Sequence, residues 1–254
     1  MTSHGSKPLG VVIPVKNNLS GLRETLEALW MIDPEGQQIE IAVIDAGTCD
    51  ETGGWLLEHM DRIDHIRSAA DNGLYDAMNY GASSLSSAWV WFLGAGDLAH
   101  SSAISGFLNA CNEWDDTKLH VYSVDMLLPL ESGVPSAYPA RWDNSITWRN
   151  TTHHQGVFYP RALLQGQAFS LEYPVLADYA LHLKLFHSGC QAHLHEESSA
   201  SVSSGGVSRS FQSSLYLEEW KIKKRILKGP VQWIQPVWLL LKFLFKKTGL
   251  PQRA

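Results

Sequence analysis

The pattern of apolar and polar residues along the first half of the chain predicts strands that alternate with helices. Continuous apolar runs, which are typical of strands buried on both faces, occur at 9–15, 39–45 and 88–93. A shorter strand is predicted over 65–69. Apolar residues at helical spacing predict intervening helices over 52–60, 74–85 and 102–113. This alternation indicates an α/β fold with a mostly parallel central sheet flanked by helices.

The first predicted helix follows the strand at 9–15. Ser20 is its predicted N-cap, and the leucines that follow fall on one face of the helix. Beyond residue 115 the pattern is less regular. It predicts a strand over 120–130, loops over 131–151, a strand within 153–160 and a helix over 179–186.

Acidic residues follow several predicted strands. Asp45 ends the second strand, Asp97 follows the strand at 88–93, and Asp71 and Asp76 come soon after the third strand. Because the carboxyl ends of parallel strands lie at one edge of a sheet, we expect these acids to share a site. The glycines of FLGAGD before Asp97 suit either a plain turn or a ligand site that the backbone approaches closely. No Gly-rich dinucleotide motif or P-loop motif follows a strand.

Charge is distributed unevenly over the 254 residues, whose net charge is −6. Residues 218–254 carry nine Lys and Arg against two Glu, a net charge of +7, and residues 1–217 carry −13. An acidic body with a basic end is not typical of a nucleic-acid-binding groove. We therefore predict a main domain over 1–217 and a basic amphipathic helical tail over 218–254 that meets an anionic surface.

The tail itself is apolar and aromatic over 229–249. It is interrupted by Gln232, Gln235, Pro236 and Lys242, so a membrane span is not expected. Tryptophans and phenylalanines beside lysines suit a helix lying in a membrane interface. A helix packed on the domain, or at a dimer interface, is the alternative interpretation.

Cysteine usage points to a reducing compartment. Three cysteines without a Cys-x-x-Cys spacing, and an N-terminal segment without an apolar stretch, lead us to expect a cytoplasmic protein without a signal peptide. One compact group invites a zinc interpretation, although its spacing matches no standard motif, so zinc is disfavoured. It consists of His187, Cys190, His193 and His195.

The order of motifs resembles that of inverting family 2 glycosyltransferases. The motifs are IPVKN, IDAGTCDET, DNGLYDAMNYG, FLGAGD, HHQGVFYP, LADYALHLKL and GGVS, and together they span about residues 9–210. Within the family the chain is most similar to bacterial exopolysaccharide enzymes of the colanic-acid type. The resemblance implies the GT-A fold, a Rossmann-like single catalytic domain.

The resemblance also implies roles for individual residues. Asp178 matches the catalytic base, and His154 and Gln155 match a pair lining the pocket. Asp97 matches the last acid of the family's metal-binding motif, which implies Mg²⁺ or Mn²⁺ on the donor diphosphate. The residues matched to donor binding are Pro14, Asn17, Asp45, Asp76 and Asp97. Helix capping by Asp76 or Asp178, a turn role for Asp45, and ordinary hydrogen bonding by His153 and His154 are the structural alternatives.

Two departures from the family pattern affect positions that the resemblance matches to binding of the sugar donor and its metal. Gly94 stands where the metal motif has its first acid, and Tyr80 stands where a lysine is usual. The processive-synthase motif Gln-x-x-Arg-Trp is not present. We therefore expect transfer of one sugar from a nucleotide-diphosphate donor to a polyprenyl-diphosphate-linked glycan, with the tail on the inner membrane surface. A non-catalytic sugar-nucleotide-binding or scaffolding homologue is the alternative, and a nucleotidylyltransferase is disfavoured because no Gly-rich basic loop follows the first strand.

Overall fold

A computed structural model describes residues 7–47, 50–114, 117–126, 136–202 and 213–247. Its strands are β1 (Leu9–Val15), β2 (Ile39–Asp45), β3 (His65–Ser68), β4 (Trp89–Phe92), β5 (Leu98–Ala99), β6 (Leu119–Met126), β7 (Ser136–Tyr138), β8 (Val157–Pro160) and β9 (Ala192–Val202). Its helices are α1 (Leu19–Ile32), α2 (Thr52–Glu58), α3 (Leu74–Ser84), α4 (Ser101–Ala110), α5 (Ala177–His187), α6 (Ser213–Ile226) and α7 (Pro230–Lys247).

One sheet contains all of these strands, in the order β3-β2-β1-β4-β8-β6-β9-β5, with β7 paired to β6. The strands β3, β2, β1 and β4 are mutually parallel, as the alternation of strands and helices predicts. β8 pairs antiparallel with both β4 and β6, so the second part of the sheet is mixed. The predicted α/β fold with a flanked, mostly parallel sheet is confirmed.

Buried apolar residues fill both faces of the sheet because the central strands alternate their side chains between two helical layers. Val11 and Ile13 of β1 pack with α1 and α4 on one face. Val12, between them, packs with α3 and α5 on the other face. Burial on both sides explains why these strands are continuous apolar runs in the sequence.

The predicted elements lie close to their observed bounds, with three physical differences. The segment 131–151, predicted as loops, contains the short strand β7 (Ser136–Tyr138), which forms because it pairs with β6. Asn18, not Ser20, is the N-cap of α1, because its side chain accepts a hydrogen bond from the Gly21 N–H at 3.1 Å. The HHQG segment is not strand: a 3₁₀ turn over His154–Gly156 precedes β8. Residues 48–49, 127–130 and the GGVS motif at 205–208 lie outside the described residues.

The C-terminal helices pack against the sheet domain through α6. Ile222 of α6 is part of the core that α3 and α5 share, and the predicted boundary between residues 217 and 218 falls inside this helix. Lys223, which is fully buried, donates to the Trp148 carbonyl at 2.9 Å and pairs with Glu219 at 2.8 Å. In the part of the chain that the structure describes, none of the helices combines the length and apolar character that a membrane span needs.

Candidate functional site

The FLGAGD segment folds into a tight turn directly after β4. The Asp97 N–H donates to the Gly94 carbonyl at 3.0 Å, and the Gly94 N–H donates to Asp97 Oδ2 at 2.7 Å. Gly96 has a φ of +103°, a conformation that favours glycine, and a Cβ at Gly94 would lie 3.0 Å from Asp97 Oδ2. The turn expected from the sequence is therefore present, and its glycines hold a buried carboxylate at the carboxyl edge of the sheet.

Helix α1 holds this turn in place. The buried Thr25 hydroxyl donates to the Asp97 carbonyl at 2.8 Å and accepts from the Gly96 N–H at 2.9 Å. Asn18, the N-cap of the same helix, donates from Nδ2 to the Ala95 carbonyl at 2.9 Å. Both residues were missed by the sequence reasoning, because neither belongs to the FLGAGD segment that they hold.

Two adjacent residues connect Asp97 to Asp178. Gln155 Nε2 lies 3.4 Å from Asp97 Oδ2, and His154 Nδ1 lies 3.3 Å from Asp178 Oδ2. The 3₁₀ turn is anchored through its backbone, because the Gln155 carbonyl accepts from Trp91 Nε1 at 2.6 Å. The turn therefore brings the His154–Gln155 pair together with Asp97 and Asp178, to which the sequence analysis had assigned separate roles.

Asp178 lies in the first turn of α5, one residue inside the helix and not ahead of it as predicted. Its Oδ1 accepts from the Tyr179 N–H at 2.7 Å and from the Tyr75 hydroxyl at 3.2 Å. Burial raises the pKa of this carboxyl, but the hydrogen bond from His154 and the nearby histidines outweigh burial and hold the pKa at about 2. Asp178 is therefore ionised at neutral pH.

The start of α5 is positioned by residues from two other helices. Glu218 of α6 accepts through Oε1 from the N–H groups of Val175 at 3.0 Å and Leu176 at 2.7 Å. Tyr75 of α3 donates to the Val175 carbonyl at 2.8 Å. Burial raises the pKa of Tyr75 well above its ordinary value, so its hydroxyl keeps the proton that it donates. Neither contact has a local sequence signal, because Glu218 is 40 or more positions from the backbone groups it binds.

The remaining predicted donor residues lie at the same edge of the parallel strands. Asp45 ends β2, is fully buried and accepts from the Ser68 hydroxyl at the end of β3. Pro14 is the next-to-last residue of β1, and the exposed Asn17 follows that strand in a left-handed conformation with a φ of 49°. The structure thus groups these residues by strand order, as parallel topology predicts.

Asp76 lies in the first turn of α3, next to this edge. The N-cap of α3 is Gly73, and Asp76 accepts from the Asn72 backbone N–H and from Asn72 Nδ2, each at 3.0 Å. The side chain thus stabilises the segment that leads into the helix, which is the structural role considered for it from the sequence.

The oxygen atoms beside Asp97 fit a magnesium or manganese ion that also binds phosphate. Mg²⁺ is usually held by one or two protein carboxylates, with phosphate and water oxygens completing its shell. Asp97 supplies one carboxylate, and Gln155 Oε1 is a buried oxygen with no hydrogen-bond partner among the residues that the structure describes. The described residues contain no group of three or more His, Cys, Asp or Glu side chains that could hold a metal by themselves.

The zinc interpretation of the histidines near residue 190 is wrong for the same reason. His187 Nε2 lies 3.2 Å from the Thr147 hydroxyl, whereas His195 Nε2 lies 3.0 Å from His120 Nδ1. The side chains of the predicted set thus turn to different partners. His120, on the neighbouring strand β6, was not expected to meet His195.

Comparison with known proteins shows which proteins this chain is similar to in sequence and in fold. Residues 10–124 match the family model described as Glycosyl transferase family 2. A PGL/p-HBAD biosynthesis glycosyltransferase of Mycobacterium tuberculosis (strain ATCC 25177 / H37Ra) is 24% identical over 236 residues, covering 85% of each chain. An uncharacterised glycosyltransferase of M. tuberculosis (strain CDC 1551 / Oshkosh) is 26% identical over 183 residues, covering 70% of this chain and 69% of its own.

Solved structures match nearly the whole fold. S. aureus TarS 1–349 in complex with UDP-GlcNAc has a TM-score of 0.69 at 15% identity, covering 96% of this chain and 74% of that one. The mannosyltransferase PcManGT from Pyrobaculum calidifontis, in complex with GDP-Man and Mn²⁺, has a TM-score of 0.59 at 17% identity, covering 94% and 70%. Residues 10–124 therefore match the Glycosyl transferase family 2 model, and the chain shares the GT-A type of fold with these solved structures.

Proposed function

We propose that the protein is an inverting glycosyltransferase that moves one hexose-type sugar from a nucleotide-diphosphate donor to an acceptor hydroxyl. The observation that carries this proposal is the His154–Gly156 turn, whose two side chains contact Asp97 on one side and Asp178 on the other. One carboxylate lies at the strand edge where nucleotides bind in open α/β sheets. The other is an ionised group near enough to act on the same substrate.

Asp178 is the proposed general base. In an inverting reaction the acceptor hydroxyl attacks the anomeric carbon opposite the leaving diphosphate, and a carboxylate takes the hydroxyl proton. A carboxylate with a pKa of about 2 is a weak base towards a free alcohol. Proton transfer is therefore late, because the hydroxyl becomes acidic only as its bond to the anomeric carbon forms. His154 and Tyr75 keep the Asp178 carboxylate in position for this proton transfer.

The donor side is proposed to bind the nucleotide diphosphate. The glycine turn before Asp97 leaves room for a diphosphate against the backbone, and Asp45 and Asp76, with Pro14 and Asn17, lie where the base and ribose would lie. A divalent cation held by Asp97, with Gln155 Oε1 nearby, would supply positive charge to the leaving diphosphate. The structural neighbours bound to UDP-GlcNAc and to GDP-Man with Mn²⁺ support this chemistry.

The proposed acceptor is a polyprenyl-diphosphate-linked glycan of an exopolysaccharide pathway, at the cytoplasmic face of the membrane. Helix α7 supports a peripheral position, because Trp233 is 81% exposed and Val237 is 60% exposed on the same helix. No acidic residue follows Glu219, whereas lysines and arginines recur to the end of the chain. An apolar helix face beside basic residues favours an anionic membrane surface.

The proposal is tested by sugar transfer with Asp178→Asn, beside Asp61→Asn as a matched exposed control. Purified protein is screened with UDP-, GDP- and dTDP-sugars and Mn²⁺, first for thermal stabilisation and then for transfer. We expect Asp178→Asn to lower turnover by about 10²–10⁴-fold with nearly unchanged donor affinity, since the change removes the base and little shape. Normal turnover in Asp178→Asn would remove Asp178 as the base. Donor binding without transfer or hydrolysis by the unmodified protein would favour the non-catalytic alternative.

A further inference from the structure

We infer that a cavity separate from the Asp97–Asp178 site binds a phosphate group that carries a hydrocarbon chain. The cavity has a volume of about 850 Å³ and lies between α5, the connection from α6 to α7, and the segment 167–173. This volume is in the range of small-molecule binding sites. Neither Asp97 nor Asp178 lines it.

The cavity lies behind α5 as seen from the candidate active site. Ala180, Lys184 and His187 line it. With about 3.6 residues per turn, His187 falls on the side of α5 opposite Asp178, and the other two lie near that side. A ligand in the cavity would therefore contact the catalytic helix from its far face.

Positive charge surrounds the cavity. Lys184, Arg225 and Lys228 line it, and no aspartate or glutamate is among the described residues of the lining. Lys184 and Lys228 form no ion pair with any residue that the structure describes, whereas Arg225 pairs with Glu172 at an exposed edge. Thr147 and Ser170 add hydroxyl groups to the lining. Several cationic and hydroxyl donors around one space suit an oxyanion with several acceptor oxygens, such as a phosphate.

Much of the remaining wall is apolar or aromatic, although Asn144, Gln167, His187 and Ser188 also line it. The apolar and aromatic part includes Trp148, Tyr173, Leu181, Leu227 and Val231. An inorganic ion would leave this surface without a partner, whereas a phosphate ester with an alkyl or prenyl chain would cover it. An amphiphilic phosphate ester therefore fits the lining better than inorganic phosphate does.

The position of α7 indicates where such a ligand comes from. Val231, in the first turn of α7, lines the cavity, and Trp238 donates from Nε1 to the carbonyl of the cavity residue Trp148 at 3.2 Å. The same helix exposes Trp233 and Val237 to solvent. A bilayer in contact with α7 would thus lie beside the cavity. The inference goes beyond the proposed transferase activity and holds whether or not sugar transfer is demonstrated.

The first experiment measures binding of farnesyl phosphate, inorganic phosphate and farnesol by calorimetry without any nucleotide sugar. We expect farnesyl phosphate to bind at least about tenfold more tightly than the other two compounds, because only it uses both parts of the lining. The double variant Lys184→Gln/Lys228→Gln should lose at least about tenfold in affinity. The control Lys221→Gln/Lys224→Gln loses the same charge from exposed positions outside the lining and should retain binding. Equal loss in both double variants, or equal affinity for inorganic phosphate, would overturn the inference.

A second pair of variants tests the cavity without changing charge or the core. Gln167 is exposed at the lining, whereas Gln165 is exposed outside it. Gln167→Trp should block farnesyl phosphate binding, and Gln165→Trp should not. Unchanged binding in Gln167→Trp would place the ligand elsewhere and overturn the inference.

The third experiment distinguishes a bulk lipid headgroup from a prenyl phosphate carrier as the source of the phosphate group. Binding to phosphatidylglycerol vesicles is compared with binding to phosphatidylcholine vesicles containing farnesyl phosphate, each with both lysine double variants. Dependence on Lys184 and Lys228 in the first vesicles supports a bulk lipid headgroup as the ligand. Dependence only in the second supports a prenyl phosphate carrier. Dependence in neither would overturn the inference.

Discussion

The two aspartates of the candidate site are held in contrasting ways. Asp97 is fixed by its own turn and by the hydroxyl of Thr25, mostly through contacts to backbone atoms. Asp178 is surrounded by side chains from distant elements: Tyr75 of α3 and His154 of the 3₁₀ turn contact it, while Glu218 of α6 holds the backbone ahead of it. The proposed donor side is thus held mainly by contacts to backbone atoms, whereas the proposed base side is held by side chains from several elements.

This contrast predicts that mutations on the two sides of the site affect different kinetic properties. The Asp97 side is held by backbone contacts, so it should be sensitive mainly to changes in its turn and in the carboxylate itself. Such changes should lower the affinity for the sugar donor. A site assembled from side chains should lose turnover when a distant supporting residue is changed, since a small displacement of a catalytic group costs rate more than binding.

The largest effect on donor affinity is expected from Asp97→Asn. Asparagine can still accept the hydrogen bond from the Gly94 N–H, so the turn is retained while the charge is removed. We expect affinity for the nucleotide sugar with Mn²⁺ to fall by about hundredfold, or roughly 2.7 kcal/mol. Calorimetry with and without Mn²⁺ measures this, and Asp178→Asn is the comparison variant, whose affinity should be nearly unchanged. Unchanged Mn²⁺-dependent affinity in Asp97→Asn would contradict the assignment of the metal to Asp97.

The next effect is expected on the base side, from Glu218→Ala. The change leaves the N–H groups of Val175 and Leu176 without their acceptor and frees the start of α5. We expect kcat to fall by about tenfold to hundredfold with little change in KM for the donor. Glu218→Gln keeps an acceptor oxygen and should restore most of the turnover. If the alanine and glutamine variants behaved alike, or if KM for the donor rose in step, Glu218 would not be a positioning residue for Asp178.

The same contrast explains what the sequence could and could not predict. The strands β1, β2 and β4 and the acids at their ends were predictable, because burial on both faces gives continuous apolar runs and parallel strands end at one edge. The positions of Asp45 and Asp97 follow directly from this rule. The family resemblance added Asp178 and the His154–Gln155 pair, which no periodicity indicates.

The supporting residues could not be predicted because their partners are distant in sequence. Thr25 lies 72 positions from the backbone of Asp97, and Tyr75 lies 103 positions from Asp178. A buried threonine inside a helix and a tyrosine before an aspartate each have ordinary local roles. Only the fold brings them to the site. The contact between His120 and His195 is likewise formed by the fold, because the two residues are 75 positions apart.

A smaller effect on the donor side is expected from Thr25→Val. Valine has nearly the same shape, but it removes both the donor to the Asp97 carbonyl and the acceptor for the Gly96 N–H. We expect donor affinity to fall by about tenfold with kcat retained, since each lost buried hydrogen bond costs on the order of 1 kcal/mol. Calorimetry measures the affinity, and Thr25→Ser, which keeps the hydroxyl, should restore it. A loss in kcat alone would mean that α1 does not support the donor turn.

The smallest effect on activity is expected from His120→Phe, which lies on β6 away from both aspartates. Burial lowers the pKa of His120 from 6.5 to about 3, with the neighbouring His195 adding to the effect. Between these values the unfolded chain binds a proton that the folded protein does not. The stabilisation is therefore complete above about pH 6.5 and is lost as the pH falls, by up to about 1.4 kcal/mol per pH unit.

Phenylalanine keeps an aromatic ring where His120 stacks on Trp114 at 3.7 Å, but it cannot titrate. His120→Phe should therefore reduce the loss of unfolding free energy as the pH falls below 6.5. Denaturant unfolding measures the change, at neutral pH and at a pH midway between 6.5 and the folded-state pKa of about 3. His59→Phe is the matched control for loss of a stacked imidazole, because His59 stacks on Trp55 at 3.9 Å in a half-exposed position. An unchanged slope in His120→Phe would mean that His120 is not buried as a neutral ring. A loss of transfer activity at neutral pH would mean that the β6–β9 region supports the catalytic site more directly than its contacts indicate.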